Sequence, residues 1–255
     1  KTSTRQDIVE PLARGLSRNG NSETVGAMLD LLETSPSPEQ RRAIARALEE
    51  TNRNALPQDR LLDLISREND NEIARNLGRS LERLYPNFVE EHGESLFQDA
   101  ESGPERVAYA RMLSRHGGER AVGTIADQLA REPDRQAAGE MANMLGRSDE
   151  GIRRGGDIIS QTPVHQGENR HSIMWGLHSG ASSENPTARN LFLQIAGSDP
   201  SPHMRSQAAE ILAHRNDIGV LPQLQELVSQ ERDEGARARM QLSIQRLQRE
   251  AARQN

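Results

Sequence analysis

Residues 171–180 read HSIMWGLHSG and place the chain's only tryptophan, Trp175, between His171 and His178. At 3.6 residues per turn the three side chains share one side of a helix, which poses a choice between core, ligand site and partner surface. Distant parts of the sequence narrow that choice, because Leu177 belongs to a column. Leu16, Leu48, Leu81, Leu113, Leu145, Leu177 and Leu212 follow one another at spacings of 32, 33, 32, 32, 32 and 35 residues. A period of this size marks stacked helical pairs, each burying its apolar stripe against the next.

Four residues before each anchor stand Leu12, Ile44, Leu77, Tyr109, Met141, Ile173 and Ala208, all able to face a core. Three before it stand Ala13, Ala45, Gly78, Ala110, Ala142, Met174 and Ala209, mostly small, which lets helices approach closely. Leu32, Ile65, Phe97, Leu129, Ile159, Ile195 and Val228 form the matching column of the second helices. Ser37-Pro38-Glu39, Gly103-Pro104-Glu105, Pro133-Asp134, Asn185-Pro186 and Ser201-Pro202 each put a cap or an N1 proline before an apolar-periodic run. No Val/Ile/Thr-rich alternating segment occurs, so the chain is predicted to be all-α. The glycines read as helix-end or turn punctuation, as at Gly117-Gly118 and Gly155-Gly156.

This combination of period and columns resembles the HEAT-like (HEAT/armadillo-type) α-solenoid superfamily over residues 4–253. The resemblance implies a right-handed α-solenoid of about seven antiparallel helix pairs. Its units fall near 4–36, 37–70, 71–103, 104–133, 134–164, 165–200 and 201–233, with a capping helix over 234–253. That last helix carries Met240, Ile244 and Leu247 on one side and arginines and glutamines elsewhere, as a wet-faced cap requires. No composition shift or long linker interrupts the pattern, and 1–255 reads as a single domain.

Composition sets bounds on chemistry. The chain is 34% hydrophobic and 27% charged, with a mean hydropathy of -0.79 and only one Trp, two Tyr and three Phe. An array whose layers bury only their neighbours' faces tolerates that polarity better than a globule does. A net charge of -6 disfavours nucleic acid as a partner, and no apolar run approaches the roughly 18 residues of a membrane span, so no membrane insertion is expected. Cysteine is absent and Lys1 is the only lysine, which removes thiolate sites, a Walker A motif and an internal Schiff-base lysine. GxSxG, GxGxxG and paired His-Glu motifs are also missing, so no catalytic residue and no cofactor is expected. The cellular compartment stays open.

The candidate sites come from the column two residues before the anchor, which holds Arg14, Arg46, Arg79, Arg111, Asn143, Trp175 and Glu210. Its polarity puts Trp175 in a solvent-facing slot, exposed or half-exposed. His171 and His178 are about 10.5 Å apart along a helix at 1.5 Å per residue, too far for one metal ion whose ligand nitrogens each lie about 2 Å from it. Trp175, His171 and His178 therefore read as a partner-binding patch, and histidines of ordinary pKa there would make binding vary between about pH 5 and 7. Arg14, Arg46, Arg79 and Arg111 form a ladder, either neutralised by neighbouring carboxylates or open to an acidic or phosphorylated segment. The stretch SQTPVHQGENR, 160–170, reads as a projecting polar loop.

The expected function is a non-enzymatic scaffold that binds a protein or peptide partner. Two alternatives stay open. One is a HEAT-like enzyme or nucleic-acid-binding protein that uses the arginine strip. The other is a secreted bacterial effector, in which scarce lysines would avoid ubiquitin attachment in a host.

Overall fold

The computed structural model describes Gly15 and residues 22–254, and among these it contains fourteen α-helices, two 3-10 turns and no strand. Leu12, Ala13, Leu16 and the ladder residue Arg14 lie outside the described residues. The chain divides into two compact units, Lys1–Ala121 and Val122–Asn255, and the division falls inside one helix.

In the first unit α1 (Ser22–Thr34), α2 (Pro38–Leu48), α3 (Gln58–Arg67), α4 (Asn71–Leu84), α5 (Pro86–Asp99) and α6 (Gly103–His116) follow in order, then α7 (Gly118–Leu129), which crosses the division. Helix α2 packs on α4, and α4 on α6, with α1, α3 and α5 against their flanks. The second unit continues with α8 (Arg135–Leu145), α9 (Asp149–Gln161), α10 (Gly167–Gly180), α11 (Pro186–Ser198), α12 (Pro202–His214), α13 (Leu221–Gln230) and α14 (Glu234–Gln254). Here α8, α10, α12 and α14 pack side by side, while α9, α11 and α13 form a second row.

The expected start signals become real caps. Ser37 accepts from the Gln40 amide at 3.3 Å, Asp134 from Ala137 at 2.8 Å, Asn185 from Ala188 at 2.8 Å and Ser201 from Met204 at 3.5 Å. Before α6 the cap is Ser102 rather than Gly103, in a reciprocal box with Glu105. Each such cap typically contributes about 1 kcal/mol to its helix. Ile44, Leu77, Tyr109, Met141, Ile173 and Ala208 are buried, as are Leu32, Ile65, Phe97, Leu129, Ile159 and Ile195. Val228 is only half-buried, and Leu224 one turn earlier is the sealed residue of α13.

A recurring arginine laces the helices at one edge of each unit. It stands four residues after Ser37, Ser102, Gln166, Ser201 and Asp233, with alanine in that place after Asp70 and Asp134, and its guanidinium bonds a main-chain carbonyl at the end of the preceding second helix. Arg41 donates to Leu32 O at 2.8 Å, Arg106 to Glu101 O at 2.9 Å, Arg170 to Ile159 O at 3.0 Å, Arg205 to Asp199 O at 2.8 Å and Arg237 to Glu231 O at 2.9 Å. Three of them also reach a buried carboxylate at the end of their own pair: Arg41 with Glu68, Arg170 with Asp199, Arg205 with Glu231. Those carboxylates accept in turn from the first amides of the next pair: Glu68 from Asp70 at 2.9 Å, Asp199 from Ser201 at 2.9 Å and Glu231 from Asp233 at 2.9 Å. Burial pushes the Glu231 carboxyl up, but the hydrogen bond from Arg205 outweighs it and holds the pKa at about 2.

Two sequence expectations are corrected here. The stretch 160–170 is not a long projecting loop: α9 runs to Gln161, Val164–Gln166 make a 3-10 turn, and α10 starts at Gly167. The Thr162 hydroxyl closes α9 by donating to Ile158 O at 2.7 Å, and Arg170 is drawn into the interior at 1% exposure by its partners. The glycines are not all punctuation either. Gly155 and Gly156 lie inside α9, where an added Cβ would fall 2.6 Å from the Leu177 side chain and 2.7 Å from Leu191. Gly176 and Gly180 bring α10 onto the backbone of α8, with a Cβ at Gly176 only 2.3 Å from Gly139 O and one at Gly180 only 2.0 Å from Asn143 O.

Candidate functional site

Helix α10 touches α8 through glycine, but on its other side it meets α12 through large side chains. His171, Trp175 and His178 fall along that side at helical spacing and are all half-buried. The Trp175 indole N–H donates to Gln207 Oε1 on α12 at 2.9 Å. Its ring centroid is 6.1 Å from His171, 5.6 Å from His178 and 5.9 Å from His214, the last two edge-on. The His171 ring stacks on His203 at 5.8 Å and 16°, and His178 meets Phe192 edge-on at 6.1 Å. Such offset and edge arrangements suit the ring quadrupoles. The helix rows thus gather five rings on one face of the second unit, above the buried Phe192.

Helix α14 completes the face. Arg239 Nη1 lies 3.2 Å from His203 Nδ1, and Arg246 Nη1 lies 3.1 Å from His214 Nδ1. Because a guanidinium can only donate, each histidine accepts through one ring nitrogen; at His214 the Nε2 also lies 3.3 Å from the same Arg246 nitrogen. Both arginines and both of these histidines are exposed. Glu210 brings a carboxylate to this face, 3.6 Å from His214 Nε2.

The sequence patch of Trp175, His171 and His178 is therefore one side of a larger cluster. Its missed members, His203, Gln207, His214, Arg239 and Arg246, come from the next two first helices. The signal available was lateral register, since Trp175 meets Gln207, and His171 meets His203, at a separation of 32 residues. The anchor column instead stepped 35 residues to Leu212 and pointed to Glu210. Both registers are real, one in the buried stripe and the other between helix flanks.

The ladder residues lie in the first unit. Arg46 comes within 3.9 Å of Glu72, and Arg79 within 3.3 Å of Glu49 and 3.4 Å of Asn76 Oδ1. Arg111 is half-buried in α6. Among the described residues no three His, Asp or Glu side chains are gathered to hold a metal ion.

Burial holds the His171 pKa below its ordinary value, and the nearby His203 adds to that, against Glu210 and Glu168. The His178 pKa falls from 6.5 to about 4, first through burial and then through the Arg215 and His214 charges. This moves the His178 charge change below the pH 5 to 7 window of an ordinary histidine. A base with a depressed folded-state pKa stabilises the fold fully above its unfolded value. That stabilisation is lost as pH falls from about 6.5 and is gone below about 4. With part of the ring open to solvent, the loss is expected to be about 2 kcal/mol. Urea unfolding followed by Trp175 emission at neutral and acid pH measures it, and His178→Phe should show the smaller acid sensitivity of the two chains.

No protein-family model matches the chain. No curated protein sequence matches it either. A solved structure described as "Computational Design of Self-Assembling Cyclic Protein Homooligomers" aligns with 98% of this chain and 92% of its own at 11% identity, with a TM-score of 0.18. A superposition that loose carries no argument. The chain is an all-α protein whose neighbouring helices pack on one another, compatible with a helical-repeat fold.

Proposed function

We propose that this chain is a non-enzymatic interaction scaffold. In this reading the helical pairs of each unit stack as a right-handed, HEAT-like α-solenoid, and a protein or peptide partner docks on the face around Trp175. The single supporting observation is the placement of the only indole, half-buried among four histidine rings. Tryptophan in such a setting is the residue type that most often dominates a binding interface, because its large rigid surface is desolvated at little entropic cost. Ion pairing of Arg46 and Arg79 with carboxylates of their own chain favours this face over the arginine ladder.

Trp175→Ala is expected to weaken partner capture by about 2 kcal/mol, close to thirtyfold, while leaving the helical circular dichroism in place. Pull-down from an extract of the source organism with both chains measures it. Equal capture by the two would remove the face as the docking site.

A further inference from the structure

We infer that the occupant of this face is an acidic peptide segment, gripped by Arg239 and Arg246 beside the Trp175 rings; the inference rests on the scaffold reading above. At three other places adjacent first helices are joined by an arginine on one and a carboxylate on or next to the other. Arg79 meets Glu49 at 3.3 Å, Arg115 meets Glu82 at 2.5 Å, and Arg135 pairs with Glu168. Between α12 and α14 the same kind of contact is made to histidine, by Arg239 to His203 and by Arg246 to His214. A neutral imidazole accepts the hydrogen bond and leaves the positive charge in place. Neither guanidinium touches a carboxylate among the described residues, and both stay open to solvent. Two charges are thus held in position by rings and left for an outside anion.

Spacing and chemistry specify that anion further. Arg239 and Arg246 are seven residues apart on one helix, about 10.5 Å along its axis. A peptide in the polyproline II form rises about 3.1 Å per residue with three residues per turn, so carboxylates three residues apart lie on one side and reach both guanidiniums. A side chain between them lies toward α12 and the indole, where an apolar group is favoured. Guanidinium binds carboxylate through paired N–H donors. A nucleic acid strand fits less well, because two cations on a chain of net charge -6 give little of the counterion release that drives phosphate binding.

The test uses the full chain and two tryptophan-free peptides of about twelve residues. One carries glutamates three residues apart around a leucine, and the other has lysine at both glutamate positions. Trp175 is the only indole, so its emission reports this face alone. The glutamate peptide is expected to shift the emission and the lysine peptide to leave it unchanged. The double variant Arg239→Gln, Arg246→Gln should bind the glutamate peptide at least tenfold more weakly. The variant His203→Glu, His214→Glu, which supplies each arginine with an internal carboxylate, should weaken it similarly.

Equal response to both peptides, no response to either, or undiminished binding by both variants would overturn the inference. So would tighter binding of a short single-stranded DNA, which would give the site to phosphates. Loss of partner capture in Trp175→Ala with normal capture in the double glutamine variant would remove the acidic segment and keep the scaffold. Normal capture in both would remove both readings.

Discussion

Asp199→Ala is expected to destabilise the second unit by about 3 to 5 kcal/mol, the range for stripping one partner from a buried ion pair. Arg170 is 1% exposed and Asp199 8%, and the guanidinium meets the carboxylate through two nitrogens while its Nε holds Ile159 O at 3.0 Å. Removing the carboxylate leaves a buried cation with one carbonyl for company. It also frees the Ser201 amide, which Asp199 accepts at 2.9 Å ahead of α12. Asp199→Asn keeps the shape and part of the bonding and should lose less. Arg153→Ala, which breaks an exposed pair with Glu150, should cost under about 1 kcal/mol. Urea midpoints read by Trp175 emission separate the three, and a loss at Asp199 no larger than at Arg153 would refute the assignment.

The second large effect is expected at Gly176. Alanine is the better helix former by about 1 kcal/mol, so an unencumbered glycine in a helix should gain from the change. At Gly176 the added Cβ would lie 2.3 Å from Gly139 O, 2.7 Å from Ala142 Cβ and 3.1 Å from Asn143 N, two of them backbone atoms that cannot swing aside. The clash outweighs the propensity, and Gly176→Ala should lose a net 2 kcal/mol or so. Gly176→Val, larger and branched, should lose more than about 3 kcal/mol or fail to fold. Gly26→Ala in α1 is the opposite case, since nothing lies within 4 Å of its Cβ. It should gain up to about 1 kcal/mol in a thermal melt. Gain at both glycines would mean that α8 and α10 are not in backbone contact.

These examples show which parts of the molecule could be read from the linear sequence. Caps are local, so Ser37, Asp134, Asn185 and Ser201 were readable from three or four residues each. The buried columns were readable because repetition averages out single-site noise. Gly176 was not, since the same residue type serves a turn at Gly118, where φ is +51°, and a helix contact at Gly176. The sequence offers no way to tell which, because the deciding atoms are on another helix.

The candidate site was legible on one helix of three: Trp175, His171 and His178 share it, whereas His203, His214, Arg239 and Arg246 arrive from two others. The arginine edge has a plain linear trace. Arg41, Arg106, Arg205 and Arg237 stand four residues after Ser37, Ser102, Ser201 and Asp233, and Glu68, Glu132, Asp199 and Glu231 stand two residues before a capping residue.

That edge has a consequence for how the architecture can grow. The pairs α10–α11 and α12–α13 each bring their own guanidinium and their own acid, bond a preceding pair's carbonyl at one end, and accept from the next pair's first amides at the other. Such a pair is a cassette with matched plug and socket. A duplicated copy of 201–232 spliced in after residue 232 would keep Glu231 two residues before a cap and Arg205 four after one, so the second unit can lengthen by a whole cassette without redesign of that junction.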